Sequence, residues 1–303
     1  MKTYLVTHTD LDGISAAVLA NKAIPNLFSV TYQDYPTIDA HLKDLLERKD
    51  IAKNDLLLVT DISPSSEVCN LLDDHANKTL TIKLFDHHDS RKWIAKYPWA
   101  VYDDKKSGTT LLYDELIQLD PQLKLYSEFA QAVEAWDTWK LESPFRARGE
   151  VLHTLHKFIG TKAFINAFVA SPDADKEEPF FSMLKYIEQK KDKTIKAIVN
   201  AALERPMLRI DSLGRMFVIV QATDYISEVA DAILNHPEYS DLQYVVVYNP
   251  IFEVCSLRSK EADVGDLAKR LNGGGHKNAS GFPYYTKIKS EEHIFKIINA
   301  VEF

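Results

Sequence analysis

The chain begins with a repeating alternation between short apolar runs and amphipathic segments. The apolar runs are Thr3–Thr7, Leu27–Tyr32, Asp55–Asp61 and Leu80–Phe85. Between them, apolar residues recur at helical spacing in Ile14–Ala23, in Ile38–Arg48 and in a segment opened by Ser63-Pro64. Unbroken apolar runs are typical of strands buried on both faces, as in a parallel sheet. The pattern therefore predicts an α/β domain with a mostly parallel sheet and helices on both of its faces.

The first domain and the segment that follows it differ in pattern. Further helical patterns complete a predicted first domain of residues 1–143. Residues 144–205 contain a helical segment with His153 and His156 and a long charged helix from about Pro179 to Glu204. We interpret this segment as a helical connector and the two histidines as structural.

Residues 206–303 predict a second, smaller α/β domain. Its predicted elements are a hairpin of Met207–Ile210 and Met216–Val220, a helix over Ile226–Leu234, strands over Tyr244–Tyr248 and Phe252–Arg258, and a helix over Val264–Leu271. The two α/β domains would then be separated by the connector.

Composition and charge narrow the classes of function. The chain of 303 residues is 46% hydrophobic and 26% charged, as in an ordinary globular protein. Its net charge of −8 argues against a groove that follows long nucleic acid, but not against a short anionic substrate. No apolar run approaches the length of a membrane span, and no signal peptide precedes the first strand, so we expect a cytoplasmic location.

Three of the predicted strands end in side chains that can bind a metal. The first is followed by His8-Thr9-Asp10-Leu11-Asp12-Gly13, the third by Asp61, and the fourth by Asp86-His87-His88. In an extended loop, His8, Asp10 and Asp12 project from one side, and carboxylates held together repel unless a cation lies between them. The carboxyl edge of a parallel sheet is where α/β proteins bind ligands. The pattern therefore predicts one site built from three strand ends.

Some of these residues have an alternative role. Asp12 and Asp61 each precede a predicted helix, where an aspartate commonly caps the first turn. A capping role for Asp12 does not explain why His8 and Asp10, two further potential metal ligands, stand in the same loop. The segment Ser107-Gly108-Thr109 also stands at a predicted helix start, where hydroxyl residues cap the helix and free N–H groups can hold a phosphate. Both roles stay open for that segment.

Two further features add candidate residues. Asp137 ends a predicted apolar helix, Glu128–Trp136, so its side chain is a candidate to turn inward. In the second domain, Gly273–Gly275 precede a histidine, and each glycine costs conformational entropy on folding. We interpret these glycines as backbone that meets a ligand closely rather than as core packing. The nearby cationic residues are His276, Lys277 and Arg258.

Taken together, these motifs resemble those of the DHH phosphoesterase superfamily, joined to its DHH-associated C-terminal domain. The resembling segments are His8–Gly13, Asp61, Asp86-His87-His88, Asp137 and Gly273–His276, with Arg258 at the end of the preceding strand. The match spans nearly the whole chain, and residues 144–205 are the least covered. Within the superfamily, the chain most resembles the oligoribonuclease (nanoRNase) and phosphoadenosine-phosphate phosphatase branch.

The resemblance implies a centre of two metal ions. One ion would be held by His8, Asp10 and Asp61, and the second by Asp12, Asp61, His87 and Asp137, with Asp61 bridging. Oxygen-rich ligand sets with one imidazole per ion suit Mn²⁺, with Mg²⁺ as the alternative. The resemblance also implies hydrolysis at phosphorus by a water that the two ions activate.

The resemblance implies roles for the remaining candidates as well. His88, with Asp86, is the expected catalytic group, which contacts the scissile phosphate or protonates the leaving ribose oxygen. The expected substrate-binding residues are Arg258, His276, Gly274, Gly275, Lys277, Ser107 and Thr109. The active site is expected in the cleft between the two domains, which would admit few nucleotides.

We therefore expect a Mn²⁺-dependent phosphodiesterase that hydrolyses short oligonucleotides to nucleoside monophosphates. The alternatives are a phosphatase or phosphodiesterase for a small nucleotide, such as pAp, pApA or pGpG, and a RecJ-like single-strand exonuclease, which conflicts with the acidic charge. A nucleotide-binding regulatory module is the alternative outside enzymes. We expect no long duplex nucleic acid and no membrane as partners, and the sequence allows a homodimer.

Overall fold

The computed structural model describes residues 1–47, 52, 54–76, 80–204, 208–284 and 291–301. The chain divides into two compact units, Met1–Leu184 and Lys185–Phe303. Each unit has its own sheet and its own hydrophobic core. The predicted α/β class is confirmed.

The first unit is built on a five-stranded parallel sheet. Its strands are β1 (Thr3–Thr7), β2 (Leu27–Tyr32), β3 (Leu56–Thr60), β4 (Thr81–Asp86) and β5 (Ala100–Tyr102). Their order across the sheet is β2-β1-β3-β4-β5, and every neighbouring pair is parallel. Strands β1, β3 and β4, which end at or are followed by acidic residues and histidines, are therefore adjacent at the centre of the sheet.

Helices cover both faces of this sheet. They are α1 (Leu11–Ala23), α2 (Ile38–Glu47), α3 (Ser66–Ala76), α4 (Gly108–Leu116), α5 (Ser127–Asp137), α6 (Arg146–Ile159) and α7 (Thr161–Ala170). Alternate strand residues point to opposite faces. Leu5, Leu58 and Phe85 therefore pack with α1 and α4 to α7, while Tyr4, Leu57 and Val59 pack with α2 and α3. The predicted helices on both faces are confirmed.

The start of α1 differs from the sequence-based expectation. The helix begins at Leu11 rather than Ile14, and its N-cap is Asp10, whose carboxylate accepts a hydrogen bond from the Gly13 N–H at 3.1 Å. The alternative role of Asp12 as the cap is therefore wrong, and its carboxylate is free for other contacts. The predicted last residue of α2, Arg48, lies outside the described residues.

The segment interpreted as a connector contributes to the first core. Leu152 and Leu155 of α6 and Phe164 and Phe168 of α7 are buried in the same cluster as α1. A long helix, α8 (Phe180–Glu204), spans the division between the two units. The boundary predicted at residues 205 and 206 lies outside the described residues, and the three-part domain division stays a prediction.

The second unit has a mixed sheet of six strands. They are β6 (Leu208–Ile210), β7 (Met216–Gln221), β8 (Tyr244–Asn249), β9 (Val254–Ser259), β10 (Gly274–His276) and β11 (Ala279–Pro283). The order is β10-β11-β9-β8-β7-β6, with β7 and β8 parallel and the other pairs antiparallel. The predicted β6–β7 hairpin is confirmed, although Met207 lies outside the described residues.

Three further helices pack on the second sheet: α9 (Ile226–Leu234), α10 (Val264–Arg270) and α11 (Glu291–Asn299). Helix α9 and the end of α8 cover one face, and α10 and α11 cover the other. In the described part of the chain, no helix combines the length and apolarity needed to cross a membrane.

Candidate metal centre and substrate residues

The register of the central strands places three predicted site residues side by side. Thr7 of β1 pairs with Thr60 of β3, and Thr60 pairs with Phe85 of β4. The residues that follow each of these, His8, Asp61 and Asp86, therefore stand in one row at the carboxyl edge of the sheet. The Thr60 hydroxyl donates to the Thr7 hydroxyl at 2.9 Å, which ties the first two strand ends together.

One group of potential ligands consists of His8, Asp10 and Asp61. The Nδ1 atom of His8 lies 2.9 Å from Oδ2 of Asp10 and 3.6 Å from Oδ2 of Asp61. These three residues come from the β1–α1 loop and from the end of β3. They match the set that the family resemblance implies for the first ion.

A second group consists of Asp12, His87 and Asp137. The Nε2 atom of His87 lies 3.2 Å from Oδ2 of Asp137 and 3.8 Å from Oδ2 of Asp12. The same nitrogen lies 3.2 Å from Oδ1 of Asp61. Asp61 thus presents one carboxylate oxygen to each group, which is the arrangement that a bridging ligand needs.

The backbone of Asp61 is held in an uncommon conformation. Its φ of +60° lies in the left-handed region, and its N–H donates to the Phe85 carbonyl at 2.9 Å. Aspartate is among the few residue types that enter this region readily. Gly108 allows the turn to pack closely, because a Cβ there would lie 2.7 Å from the Cβ of Asp61.

The N-terminus of α4 fixes the carboxylate of Asp12. This buried side chain accepts hydrogen bonds from the backbone N–H groups of Gly108 at 2.6 Å and Thr109 at 2.9 Å. The Thr109 hydroxyl donates to the Asp12 carbonyl at 2.6 Å, and Ser107 is the N-cap of the helix. Ser107 and Thr109 are buried, and these contacts give them a role in positioning Asp12. Their predicted contact with substrate stays a prediction.

The charges at the centre favour a divalent cation. Burial, together with Asp12, Asp10 and Asp137, raises the pKa of Asp61 well above its usual value. Burial and the charges of Asp12 and Asp10 raise the pKa of Asp137 to about 8. Oδ2 of Asp61 is buried and has no hydrogen-bond donor among the described residues. A cation would relieve this repulsion and satisfy that oxygen, so the donor set of carboxylates and imidazoles fits Mn²⁺ or Mg²⁺.

Asp86 orients His88 and stands apart from the two ligand groups. Its buried Oδ1 accepts hydrogen bonds from the backbone N–H groups of His87 at 2.7 Å and His88 at 3.1 Å. The same oxygen lies 2.7 Å from Nδ1 of the His88 ring. The Ser63 hydroxyl donates to its other oxygen. The hydrogen bond to Asp86 raises the pKa of His88, whose side chain is 33% exposed. His88 also lies within ligand distance of Asp61 and His87, so it reaches the centre itself.

Sequence reasoning missed three residues beside the centre. Asp34 places Oδ1 3.1 Å from Nε2 of His8. The ring of Tyr35 lies 6.2 Å from the rings of both His8 and His88, and Arg91 stacks on Tyr35 at 4.7 Å. Asp34 follows the end of β2, so the rule of strand ends could have found it. No comparable sequence pattern predicts that Tyr35 and Arg91 lie beside the centre.

In the second unit, Arg258 and His276 share one face of the sheet. Arg258 is paired with Ala279, and Ala279 is paired with His276, so the three side chains point the same way. A guanidinium nitrogen of Arg258 donates to the Ser227 hydroxyl at 3.1 Å. His276 and Lys277 are exposed. Their predicted contact with substrate stays a prediction.

Two of the three glycines have a structural role besides the predicted contact with a ligand, which stays a prediction. A Cβ at Gly273 would lie 2.0 Å from the Gly281 carbonyl oxygen, and one at Gly275 would lie 2.6 Å from the Cα of Ser280. Both glycines therefore allow β10 to approach β11. Gly274 is exposed, and a Cβ there would have no neighbour within 4 Å, so its backbone is open to a ligand.

Comparisons with known proteins give related sequences and a related fold. No family model matches the chain. Oligoribonuclease NrnB of Bacillus subtilis is 26% identical over 290 residues, covering 92% of this chain and 72% of NrnB. A 3′,5′-cyclic-nucleotide phosphodiesterase of Helicobacter pylori is 24% identical over 339 aligned positions, covering 93% of this chain and 92% of that protein. The solved structure of the pGpG-specific phosphodiesterase PggH from Vibrio cholerae has a TM-score of 0.53 at 15% identity and covers 99% of both chains.

Proposed function

We propose that this chain, whose homologues and structural neighbours are DHH-family phosphoesterases, is a metal-dependent phosphodiesterase that hydrolyses short oligonucleotides to nucleoside monophosphates. One observation carries the proposal. Six residues from the β1–α1 loop, the first turn of α1, two further strand ends and the end of α5 converge into two ligand groups that share Asp61. A shared carboxylate between two ligand sets is typical of centres that hydrolyse phosphate esters with a pair of divalent ions.

The ligand roles follow from the two groups. His8, Asp10 and Asp61 would hold one ion, and Asp12, His87 and Asp137 would hold the second with the other oxygen of Asp61. When bound, such ions supply Lewis acidity to the phosphoryl oxygens and a nucleophilic water at neutral pH. The N-terminus of α4 orients the Asp12 carboxylate through two N–H donors.

His88 supplies the proton for the leaving ribose oxygen in this proposal. Its hydrogen bond to the buried carboxylate of Asp86 raises its pKa, so a larger fraction of His88 carries a proton at neutral pH. Asp86 acts as a positioning residue, because its contacts are to His88, to two backbone N–H groups and to Ser63.

The substrate class rests on the relatives and on the second unit. NrnB is named as an oligoribonuclease, and 92% of this chain aligns with it. Arg258 and His276, on one face of the second sheet, would bind a phosphate other than the one that is cleaved. A diester of a few nucleotides carries such a second phosphate.

A second candidate is a phosphodiesterase or phosphatase for a single small nucleotide. The observation that favours it is the Helicobacter pylori relative, which is named for cyclic nucleotides and aligns over 92% of its own length. This candidate uses the same metal ligands and differs only in the substrate.

The test is a turnover screen with Mn²⁺ or Mg²⁺. Substrates would be pApA, pGpG, labelled 5-mers of RNA and DNA, pAp, 3′,5′-cyclic AMP and a long single strand, with products separated by ion-exchange chromatography. We expect dinucleotides and 5-mers to give monophosphates, and Asp61→Ala to lower kcat by at least about 100-fold. Turnover of pAp or cyclic AMP alone would support the second candidate. Wild-type turnover by Asp61→Ala would contradict both.

A further inference from the structure

A column of stacked side chains ends in an exposed tryptophan just after a metal-ligand candidate. The ring of His153 stacks on Trp136 at 4.7 Å. The guanidinium of Arg146 lies 4.2 Å from the ring centre of Trp136 and 4.5 Å from that of Trp139. Trp139 is 66% exposed, and it is two residues from Asp137.

Arg146 is fixed between the two indole rings. One of its guanidinium nitrogens donates to the Trp136 carbonyl at 2.7 Å and to the Ala135 carbonyl at 3.2 Å. These are carbonyls of the last turn of α5, which a cation satisfies well. The ring of Trp139 is therefore supported on one face by a held cation rather than by a mobile side chain.

The backbone at Trp139 suits a glycine better than a tryptophan. Its φ of +56° lies in the left-handed region, where a bulky side chain is disfavoured. A tryptophan that only filled space would be buried, yet this one exposes most of its surface. The left-handed φ itself belongs to the end of α5, where the Lys140 N–H donates to the Ala135 carbonyl at 3.0 Å and the Trp139 N–H to the Trp136 carbonyl at 3.4 Å. The exposure of so large an aromatic ring is what indicates a role in binding.

The position of Trp139 in the chain places it near the metal centre. Consecutive Cα atoms are about 3.8 Å apart, so the Cα of Trp139 lies within about 7.6 Å of the Cα of Asp137. Proteins that bind single-stranded nucleic acid without base preference use exposed aromatic rings on which bases stack. Both the placement and the chemistry match the base of a nucleotide whose phosphate is held by the metal ligands.

We propose that Trp139 is the stacking platform for a nucleobase of the substrate, with Arg146 as its support. This inference rests on the proposed function and specifies the part of the substrate that the first unit recognises. Since every base has a π-face, the platform accepts all four bases and predicts little base preference. It also predicts that a substrate without a base at this position loses affinity.

The first experiment measures binding without hydrolysis. The Mg²⁺-loaded protein is titrated with AMP and with ribose 5-phosphate while tryptophan fluorescence is recorded. We expect AMP to quench the wild type, ribose 5-phosphate not to, and the quench by AMP to be lost in Trp139→Gly. Equal quenching of the wild type and Trp139→Gly by AMP would overturn the inference.

The second experiment measures kinetics on pApA. Trp139→Gly relieves the left-handed backbone, so its fold is preserved while the ring is removed. We expect its KM to rise by about 5- to 150-fold, the equivalent of ~1–3 kcal/mol of lost stacking, with kcat changed by less than about twofold. Trp139→Phe keeps a smaller ring, so we expect its KM to rise by only about 2- to 4-fold.

A matched control is Phe158→Ala, which removes another exposed aromatic side chain, 54% exposed on α6. We expect its KM for pApA to stay at the wild-type value. Active Trp139→Gly with an unchanged KM would overturn the stacking role and leave the proposed function intact. No turnover of any substrate by the wild type would instead contradict the proposed function, and the fluorescence titration would still decide the stacking role.

Discussion

Asp61 connects the two ligand groups through a single side chain. Its carboxylate faces His8 with one oxygen and His87 with the other. The left-handed backbone that makes this possible costs about 1–2 kcal/mol in an ordinary residue, and aspartate tolerates it better than most. The burial and the carboxylate repulsion that raise the pKa of Asp61 add to that cost until a cation is bound. The residue is thus suited to binding a metal at the expense of the stability of the metal-free protein.

The role of His88 can be separated from that of its neighbour His87. We expect His88→Gln to lower kcat on pApA by about 10²- to 10⁴-fold, because a proton donor to the leaving group is lost. Mn²⁺ binding, measured by isothermal titration calorimetry, should stay close to the wild type, since both ligand groups remain complete. His236→Gln, in the second unit, is the matched control and should leave both quantities unchanged. Loss of Mn²⁺ binding in His88→Gln would show that His88 is a ligand instead.

At the scale of elements, the start of α4 is the part that shapes the centre. Its first N–H groups hold Asp12, and Gly108 packs against Asp61 without a side chain. Helix α4 therefore positions ligands from two different strand ends. The segment Ser107-Gly108-Thr109, for which the sequence allows both capping and phosphate binding, directs the N–H groups of Gly108 and Thr109 to a carboxylate of the protein itself.

This packing gives a prediction about Gly108→Ala. A methyl group 2.7 Å from the Asp61 Cβ must push α4 away, which we expect to lower the free energy of unfolding by about 1–3 kcal/mol. The affinity of the second ion should fall as well, because Asp12 loses its donors. Urea unfolding and calorimetric Mn²⁺ titration measure the two effects. Gly274→Ala, with open space around the new Cβ, is the control and should unfold as the wild type does; equal stability of both variants would contradict the packing argument.

The contact between α5 and α6 predicts a pH dependence of stability. Burial lowers the pKa of His153 from 6.5 to about 4, and nearby Lys157, His156 and Arg146 act in the same direction. The unfolded chain therefore takes up a proton near pH 6.5 that the folded protein takes up only near pH 4. The stability that His153 contributes is complete above pH 6.5 and is lost as the pH falls from 6.5 to 4.

His153→Phe keeps the stack on Trp136 and removes the titrating group. We expect its Tm to fall less than the wild-type Tm between pH 7 and pH 4.5, as recorded by calorimetry of the metal-free protein. Phe158→Ala, which changes an exposed, non-titrating side chain of the same helix, should leave the wild-type slope unchanged. Equal slopes for the wild type and His153→Phe would contradict this account.

At the scale of the whole molecule, the sequence predicted the parts that depend on local patterns. Unbroken apolar runs indicated β1, β3 and β4, and the rule that ligands bind at the carboxyl edge of a parallel sheet indicated which residues meet there. The convergence of Asp137 on His87 was suggested by family resemblance, because a helix end far along the chain carries no local sign of where it packs.

Other features depended on contacts between distant segments. The sequence alone does not distinguish Asp10 from Asp12 as the cap of α1, because both are good caps in isolation and the difference lies in the N-terminus of α4. The sequence did not predict strands β10 and β11, because glycines are typical of turns. In this hairpin the glycines are required by the close approach of the two backbones. The packing of α6 and α7 into the first core has the same origin, since it is set by tertiary contacts.

In the proposed centre, two divalent ions share Asp61. The most direct measurement is calorimetric titration of the metal-free protein with Mn²⁺, for the wild type and for Asp10→Asn, Asp137→Asn and Asp61→Asn. The account predicts two ions per chain for the wild type, selective weakening of one ion by at least about 10- to 100-fold in each of the first two variants, and weakening of both ions in Asp61→Asn. Binding of two ions by Asp61→Asn with wild-type affinity would contradict it.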